Sequence, residues 1–252
     1  MENKLLAGVA MGLLLLGMAA GAEATLYKIG TAGYDANSNG TVGTDEVYNL
    51  NYDDASHLTW LDYSHYGDWD AQNTWAGGLK TQLNVTLDAG WSADAAWSIT
   101  DWRLPGAGAN PQEGYDQTTS EMGDLFYNGL GLKGYNTTYH VLTPSELNSE
   151  ASGAEYDFAQ LEASWYLSGT EYAYDPYGAW GFSMGNGGQG MFTKYDVSYG
   201  GLAVRSGQVN YSDPNGGGGT TPTPEPATML LLGTGLAGLA GGRWRQRRGR
   251  AA

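Results

Sequence analysis

An α+β domain is what this sequence predicts, with two helices, six short strands and long irregular loops. Three observations carry the expectation. Forty glycines multiply turns at the expense of long helices. Helical spacing behind a capping residue occurs in only two places. Short β-branched and aromatic runs bounded by Gly, Asn or Asp recur from Leu26 to Arg205.

Leu26 to Ile29 reads as the first strand, followed by a Gly/Asn/Asp-rich loop from Gly30 to Gly43. Val47 to Asp53 and Leu58 to Asp62 are strand-like around a turn at Asp54-Ala55-Ser56. Asp68 or Asp70 can cap a helix that carries Trp75, Leu79 and Leu83 on one face. Pro105 closes the extended segment Asp101-Trp102-Arg103-Leu104. Thr118 with Glu121 three residues on forms a capping box ahead of Met122, Leu125 and Phe126, the second helix. Leu130 to Tyr156 reads as loop. Ser164 to Ser168, Ala179 to Ser183 and Gly201 to Arg205 complete the strands, with Trp165 and Trp180 expected inward. Arg205, a rare cation among many carboxylates, is expected in a half-buried ion pair.

Both ends are addresses. Lys4, an apolar run from Leu5 to Ala20 and Ala22-Glu23-Ala24 form a secretory leader cut after Ala24. At the other end stand Pro224-Glu225-Pro226, an apolar run 227–242 and Arg243, Arg245, Arg247, Arg248 and Arg250. That run would make a helix roughly 24 Å long, close to the ~30 Å hydrocarbon core, so it is expected to cross the membrane with its arginines cytoplasmic. The three parts in this order resemble the PEP-CTERM sorting tail. The resemblance implies a partner exosortase that recognises Pro224, Glu225 and Pro226 after Sec export. It also implies an inner-membrane-anchored intermediate on the way to the cell surface or the extracellular matrix.

Glu2 and Glu23 fall in the leader with Lys4, and five of the twelve basic residues fall in the tail. That leaves 25 acids against Lys28, Lys80, Arg103, Lys133, Lys194 and Arg205 between Thr25 and Pro226. So acidic a surface repels nucleic acid. Zero cysteines remove disulfides, thiolate metal sites and cysteine nucleophiles. Tyrosine (18) and tryptophan (9) outnumber phenylalanine (4), an amphipathic aromatic load suited to sugar or protein contacts. With three histidines and neither H-E-x-x-H nor G-x-S-x-G, no enzyme is expected. A glycosidase needs only two carboxylates, but nothing in the spacing singles out a pair.

Leu58-Thr59-Trp60-Leu61-Asp62, Trp102-Arg103-Leu104-Pro105, Thr119-Ser120-Glu121-Met122, Trp165 to Glu171, Ala179-Trp180 and Val204-Arg205 together resemble the Lcl C-terminal domain family. The resemblance implies a C-type lectin-like fold: two short helices, a small twisted antiparallel sheet and long irregular loops. The expected organisation is a leader 1–24, a strand and Gly/Asn-rich loop 25–57, the lectin-like domain 58–210, a disordered linker 211–223 and the sorting tail 224–250.

Two candidate sites follow. Asp35 to Glu46 fits D-x-N-x-N-G-x5-E and resembles an EF-hand loop. Asp35, Asn37 and Asn39 would offer side-chain oxygens to Ca2+, Thr41 its carbonyl and Glu46 a bidentate carboxylate, with Gly40 at the sharp turn. Gly and Tyr flank it instead of a leading helix, and the alternative is a plain Gly/Asn-rich turn. The second site is aromatic: Tyr63, Tyr66, Trp69, Tyr172, Tyr174 and Tyr177, beside Asp62, Asp68 and Asp175. Rings would stack on sugars while carboxylates take hydroxyl protons, giving a binder of exopolysaccharide or another glycan. The competing expectation is a structural matrix or adhesion protein that self-assembles without a ligand pocket.

Overall fold

The computed structural model describes residues 25–153 and 155–214. The expected leader, the spacer from 215 onward, Pro224-Glu225-Pro226 and the apolar run 227–242 lie outside the described residues. Among the described residues no helix is long and apolar enough to cross a membrane. No described helix thus supports the transmembrane expectation, whose run 227–242 lies outside those residues.

In chain order the elements are β1 (Leu26–Gly33), β2 (Val47–Asp53), β3 (Leu58–Tyr66), α1 (Trp69–Gln82), β4 (Asn84–Leu87), β5 (Trp91–Ala93) and α2 (Ala95–Ile99). Then come α3 (Glu121–Asp124), which runs into a π-helical turn (Leu125–Gly129), α4 (Tyr135–Thr138) and α5 (Pro144–Glu150). The chain continues through β6 (Trp165–Glu171), β7 (Gly178–Ser183), β8 (Gln189–Thr193), β9 (Gly200–Ser206) and β10 (Val209–Tyr211).

The expected C-type lectin-like architecture, with two short helices and a small antiparallel sheet, is overturned. Eight strands form one sheet in the order β4-β1-β2-β3-β9-β6-β7-β8, and β5 pairs with β10 apart from it. The large sheet is mixed, because β6 runs parallel to β9 through Tyr166↔Gly200 and Leu167↔Gly201. Five α-helices, not two, accompany it among the described residues. β4, β5, β8 and β10 escape a sequence reading because short edge strands carry little apolar signal.

Each face of the sheet buries its own core. Leu202 and Val204 of β9 join Trp60, Leu26, Phe126, Phe158, Leu161 and Tyr166 on one side. Ala203, between them, faces Ile29, Leu50, Leu61, Trp75, Leu79 and Trp102 on the other. Period-two alternation thus feeds two cores, which is why β9 is buried from Gly200 to Arg205 without a polar-out position.

Local chemistry sets the helix ends. Asp68 caps α1 and accepts from Ala71 N at 2.8 Å, as one of the two expected candidates. Trp75, Ala76 and Leu79 are its buried stripe. The second expected cap is corrected: Ser120, not Thr118, accepts from Gly123 N at 3.1 Å. Glu121 turns away to clasp Arg103 with both oxygens at 2.6 Å and to accept from Gly106 N. A complete capping box stands instead at Thr143 and Glu146, heading α5 inside the expected loop. Leu147, alone on α5, is its buried anchor.

Candidate functional site

The Asp35–Glu46 segment is the tip of the β1–β2 hairpin. Gly33↔Val47 pairing and a bond from Tyr34 N to Glu46 O at 3.0 Å close its base. Inside, the side-chain oxygens turn toward the backbone. Asn39 N donates to both Asp35 Oδ1 (2.9 Å) and Asn37 Oδ1 (3.0 Å), so those two oxygens share one donor. Asp35 Oδ2 accepts from Gly40 N at 2.7 Å, and Asn39 Oδ1 accepts from Thr41 N at 2.9 Å. Glu46, only 4% exposed, reaches across to accept from Asn37 N (3.1 Å) and Gly43 N (2.8 Å). Gly40 sits at φ 87°, which the sharp turn requires of it.

These oxygens are hard donors that suit Ca2+, and each carboxylate oxygen keeps a lone pair after taking one N–H. Among the described residues no three Asp, Glu or His side chains gather at metal-binding spacing. Any ion here would therefore depend on the two asparagines and the Thr41 carbonyl. A cleft of about 340 Å³ opens beside the loop, lined by Tyr34, Asp35, Ser38, Gly40 and Gln82.

No ring contact among the described residues joins all six expected aromatic ligands, though Trp69 N donates to Lys194 O at 2.8 Å, next to Tyr177. Tyr63 packs between Tyr34 (5.5 Å), Tyr48 (4.7 Å) and Trp75 (5.9 Å), behind the hairpin tip. Burial, then Tyr63 and Glu46, push the Tyr48 phenol up to about 12. Tyr66 donates its hydroxyl to Glu162 at 2.5 Å. Trp69 donates Nε1 to Ser168 O at 2.8 Å, and the Lys194 ammonium lies 4.4 Å over its ring, held by Glu171 at 2.9 Å. The Trp69 face is thus already taken by a cation.

Tyr172, Tyr174 and Tyr177 do share one place, the β6–β7 turn. Tyr172 rests on Trp180 (5.0 Å) and Tyr174 (5.6 Å). Tyr174 is 89% exposed and Tyr177 62%. The structure adds a residue that local density missed: Tyr195, 68% exposed, stands 6.0 Å from Tyr177. The bond from Lys194 N to Tyr177 O at 2.9 Å brings it there, a pairing across the β7–β8 hairpin. Glu113 accepts from the Tyr172 hydroxyl at 3.4 Å, and Asp175 Oδ1 accepts from Tyr177 N at 2.9 Å.

Asp62, expected near a ligand, is instead buried at 1% exposure. Both its oxygens accept from Gln160 N (3.0 and 3.1 Å). Asn49 and Asn51 hold Asp157 of the same strap, residues 155–164 between α5 and β6, and the Ser64 hydroxyl donates to Gln160 O. Burial, reinforced by Asp157, pushes the Asp62 carboxyl up to about 7.

Among the described residues Arg205 makes no ion pair, contrary to expectation. Its guanidinium lies 4.2 Å over Trp97 and 5.9 Å from Trp102, and it donates to Ser98 O at 2.9 Å. Indole faces replace a carboxylate, because planar guanidinium is weakly hydrated and stacks well. Burial lowers its pKa, with distant Asp101 opposing.

Residues 222–248 match the PEP-CTERM protein-sorting motif. No curated protein and no solved structure matches the chain. Nothing among these matches speaks for the Lcl-domain resemblance over 58–207. A sorting motif is a signal and carries no chemistry of its own; it implies dealings with an exosortase and the Sec pathway. On that ground the chain is an export-associated, surface-destined protein that bears a PEP-CTERM sorting motif at residues 222–248.

Proposed function

We propose that this protein is a non-enzymatic, surface-displayed binder of an exopolysaccharide or another glycan, and that the face formed by Tyr172, Tyr174, Tyr177 and Tyr195 makes the contact. The observation that carries the reading is the exposure of Tyr174, Tyr177 and Tyr195 at one end of the sheet. Large rings left in water on a rigid hairpin suit stacking against the apolar faces of sugars. Glu113 and Asp175 stand ready to accept from sugar hydroxyls. The strongly acidic surface favours neutral over anionic polymers.

Calcium has a separate place in the proposal. The converging oxygens of Asp35, Asn37, Asn39 and Glu46, with the Thr41 carbonyl, would hold Ca2+ and stiffen the β1–β2 tip. Two asparagines in place of aspartates lower the ligand charge, so the affinity expected is about millimolar.

A glycan array run with calcium and with chelator tests the reading. Saturable binding to one sugar class, lost in Tyr174→Ala and Tyr177→Ala variants of unchanged stability, supports it. Binding to no glycan would remove it. The self-assembly alternative draws on β8, an outer strand that carries exposed Met191 opposite Trp180. Concentration-dependent association by sedimentation, without glycan binding, would favour that alternative.

A further inference from the structure

The chain has no cysteine, so no thiol cross-links it and none quenches an oxidised phenol. It carries 18 tyrosines instead. Among the described residues, two close tyrosine pairs have both rings exposed. Tyr135 and Tyr139 lie one turn apart at α4, with centroids 6.1 Å apart and planes at 71°. Tyr177 and Tyr195 stand on facing strand ends, with centroids 6.0 Å apart and planes at 41°. The backbone keeps the second pair in register. Lys194 N donates to Tyr177 O at 2.9 Å, and Asp175 Oδ1 accepts from Tyr177 N at 2.9 Å. Two phenols held this way meet one another far more often than they meet a phenol of another chain in dilute solution.

That proximity suits radical coupling. A one-electron oxidant takes one electron from each phenol, and each O–H gives its proton to solvent. The two neutral phenoxyl radicals carry spin on the ring carbons next to the C–O carbon. Pairing those spins forms one carbon–carbon bond between the rings. Each bonded carbon then loses its hydrogen as a proton while each oxygen regains one, which restores both phenols. The pair loses two hydrogens in all, and a haem peroxidase turning over hydrogen peroxide removes them as two waters. Joined rings are twisted but not perpendicular, so the 41° pair starts nearer the product than the edge-to-face pair at 71°. The new bond would close the chain from 177 to 195 around β7 and the outer strand β8, as a disulfide does in chains that have cysteine.

We propose that Tyr177 and Tyr195 form an oxidative cross-linking site, which an extracellular one-electron oxidant of the peroxidase class converts to dityrosine. The site does not rest on glycan binding, and no glycan enters its test. The full chain at high dilution is illuminated with ruthenium tris-bipyridyl and persulfate, a one-electron oxidant of phenols that also works in urea. Dityrosine fluorescence should appear on the monomer. Peptide mass mapping should place the loss of two hydrogens on the linked peptides that contain Tyr177 and Tyr195. Tyr177→Phe and Tyr195→Phe should each cut that intramolecular yield by about tenfold or more, and so should unfolding the parent in urea, which removes the proximity. Tyr139→Phe should leave it unchanged. The proposal is overturned if the links are spread over other tyrosines or occur only between chains. It is also overturned if no link forms while N-acetyltyrosinamide couples in the same solution, or if the urea-unfolded chain links 177 to 195 as well as the folded one.

Discussion

Asp62→Asn has the most decisive expected consequence. Asp62 is buried against the 155–164 strap, and its carboxyl titrates at about 7 rather than 3.8 because burial disfavours the charge. The folded chain therefore holds a proton that the unfolded chain releases. Stability from this group is full below the unfolded value, falls as pH rises above it and is lost once pH passes about 7. At 1.36 kcal/mol per pKa unit, the total loss is about 4 kcal/mol, of which about 3 kcal/mol falls between roughly pH 5 and pH 9. An amide cannot ionise, so the variant should lack that part of the decline. The assay is urea unfolding of both proteins across this range, with the difference between them plotted against pH. Subtraction removes other groups that titrate in the window. Flat subtraction would refute the reasoning, since it would mean Asp62 is solvated or ionised throughout. Hydrogen exchange at Gln160 N should also quicken in the wild type on the alkaline side, where the buried charge faces Asp157.

If the hairpin tip binds Ca2+ with millimolar affinity, roughly ten times that concentration should stabilise the fold by about 1.4 kcal/mol, and Glu46→Gln should abolish the effect. Terbium luminescence that saturates in the parent but not the variant checks it; equal responses would discard the loop as a site. Arg205→Lys should cost about 1–2 kcal/mol in urea unfolding, because an ammonium cannot lie flat against Trp97 and Trp102. Equal stability would show that the stacking contributes nothing. Gly207→Ala should cost several kcal/mol: Gly207 sits at φ 134°, and a Cβ there would meet Trp97 N at 2.5 Å. A thermal midpoint within about 2 °C of the parent would contradict that geometry.

What the sequence determined by itself is whatever is encoded within a few residues. The acidic balance, the absence of cysteine and the sorting motif at 222–248 are of this kind. So are the Asp68 cap with Trp75 and Leu79 on the buried stripe of α1. The hydrogen bonds of the Asp35–Glu46 turn likewise all fall within twelve residues, so motif spacing could anticipate them. Tertiary structure decided the rest, since those partners lie far apart in the chain. Parallel pairing of β6 with β9 and the eight-strand order have no local cue. Asp62 is acidic in any sequence reading, but only the strap at Gln160 buries it and moves its pKa. Trp97 and Trp102 meet Arg205 after about a hundred intervening residues, which turns an expected ion pair into a stacked cation. Tyr195 joins Tyr177 only because β7 and β8 fold back on each other. Short-range rules set caps and turns; which faces end up buried depends on non-local packing that no window of residues contains.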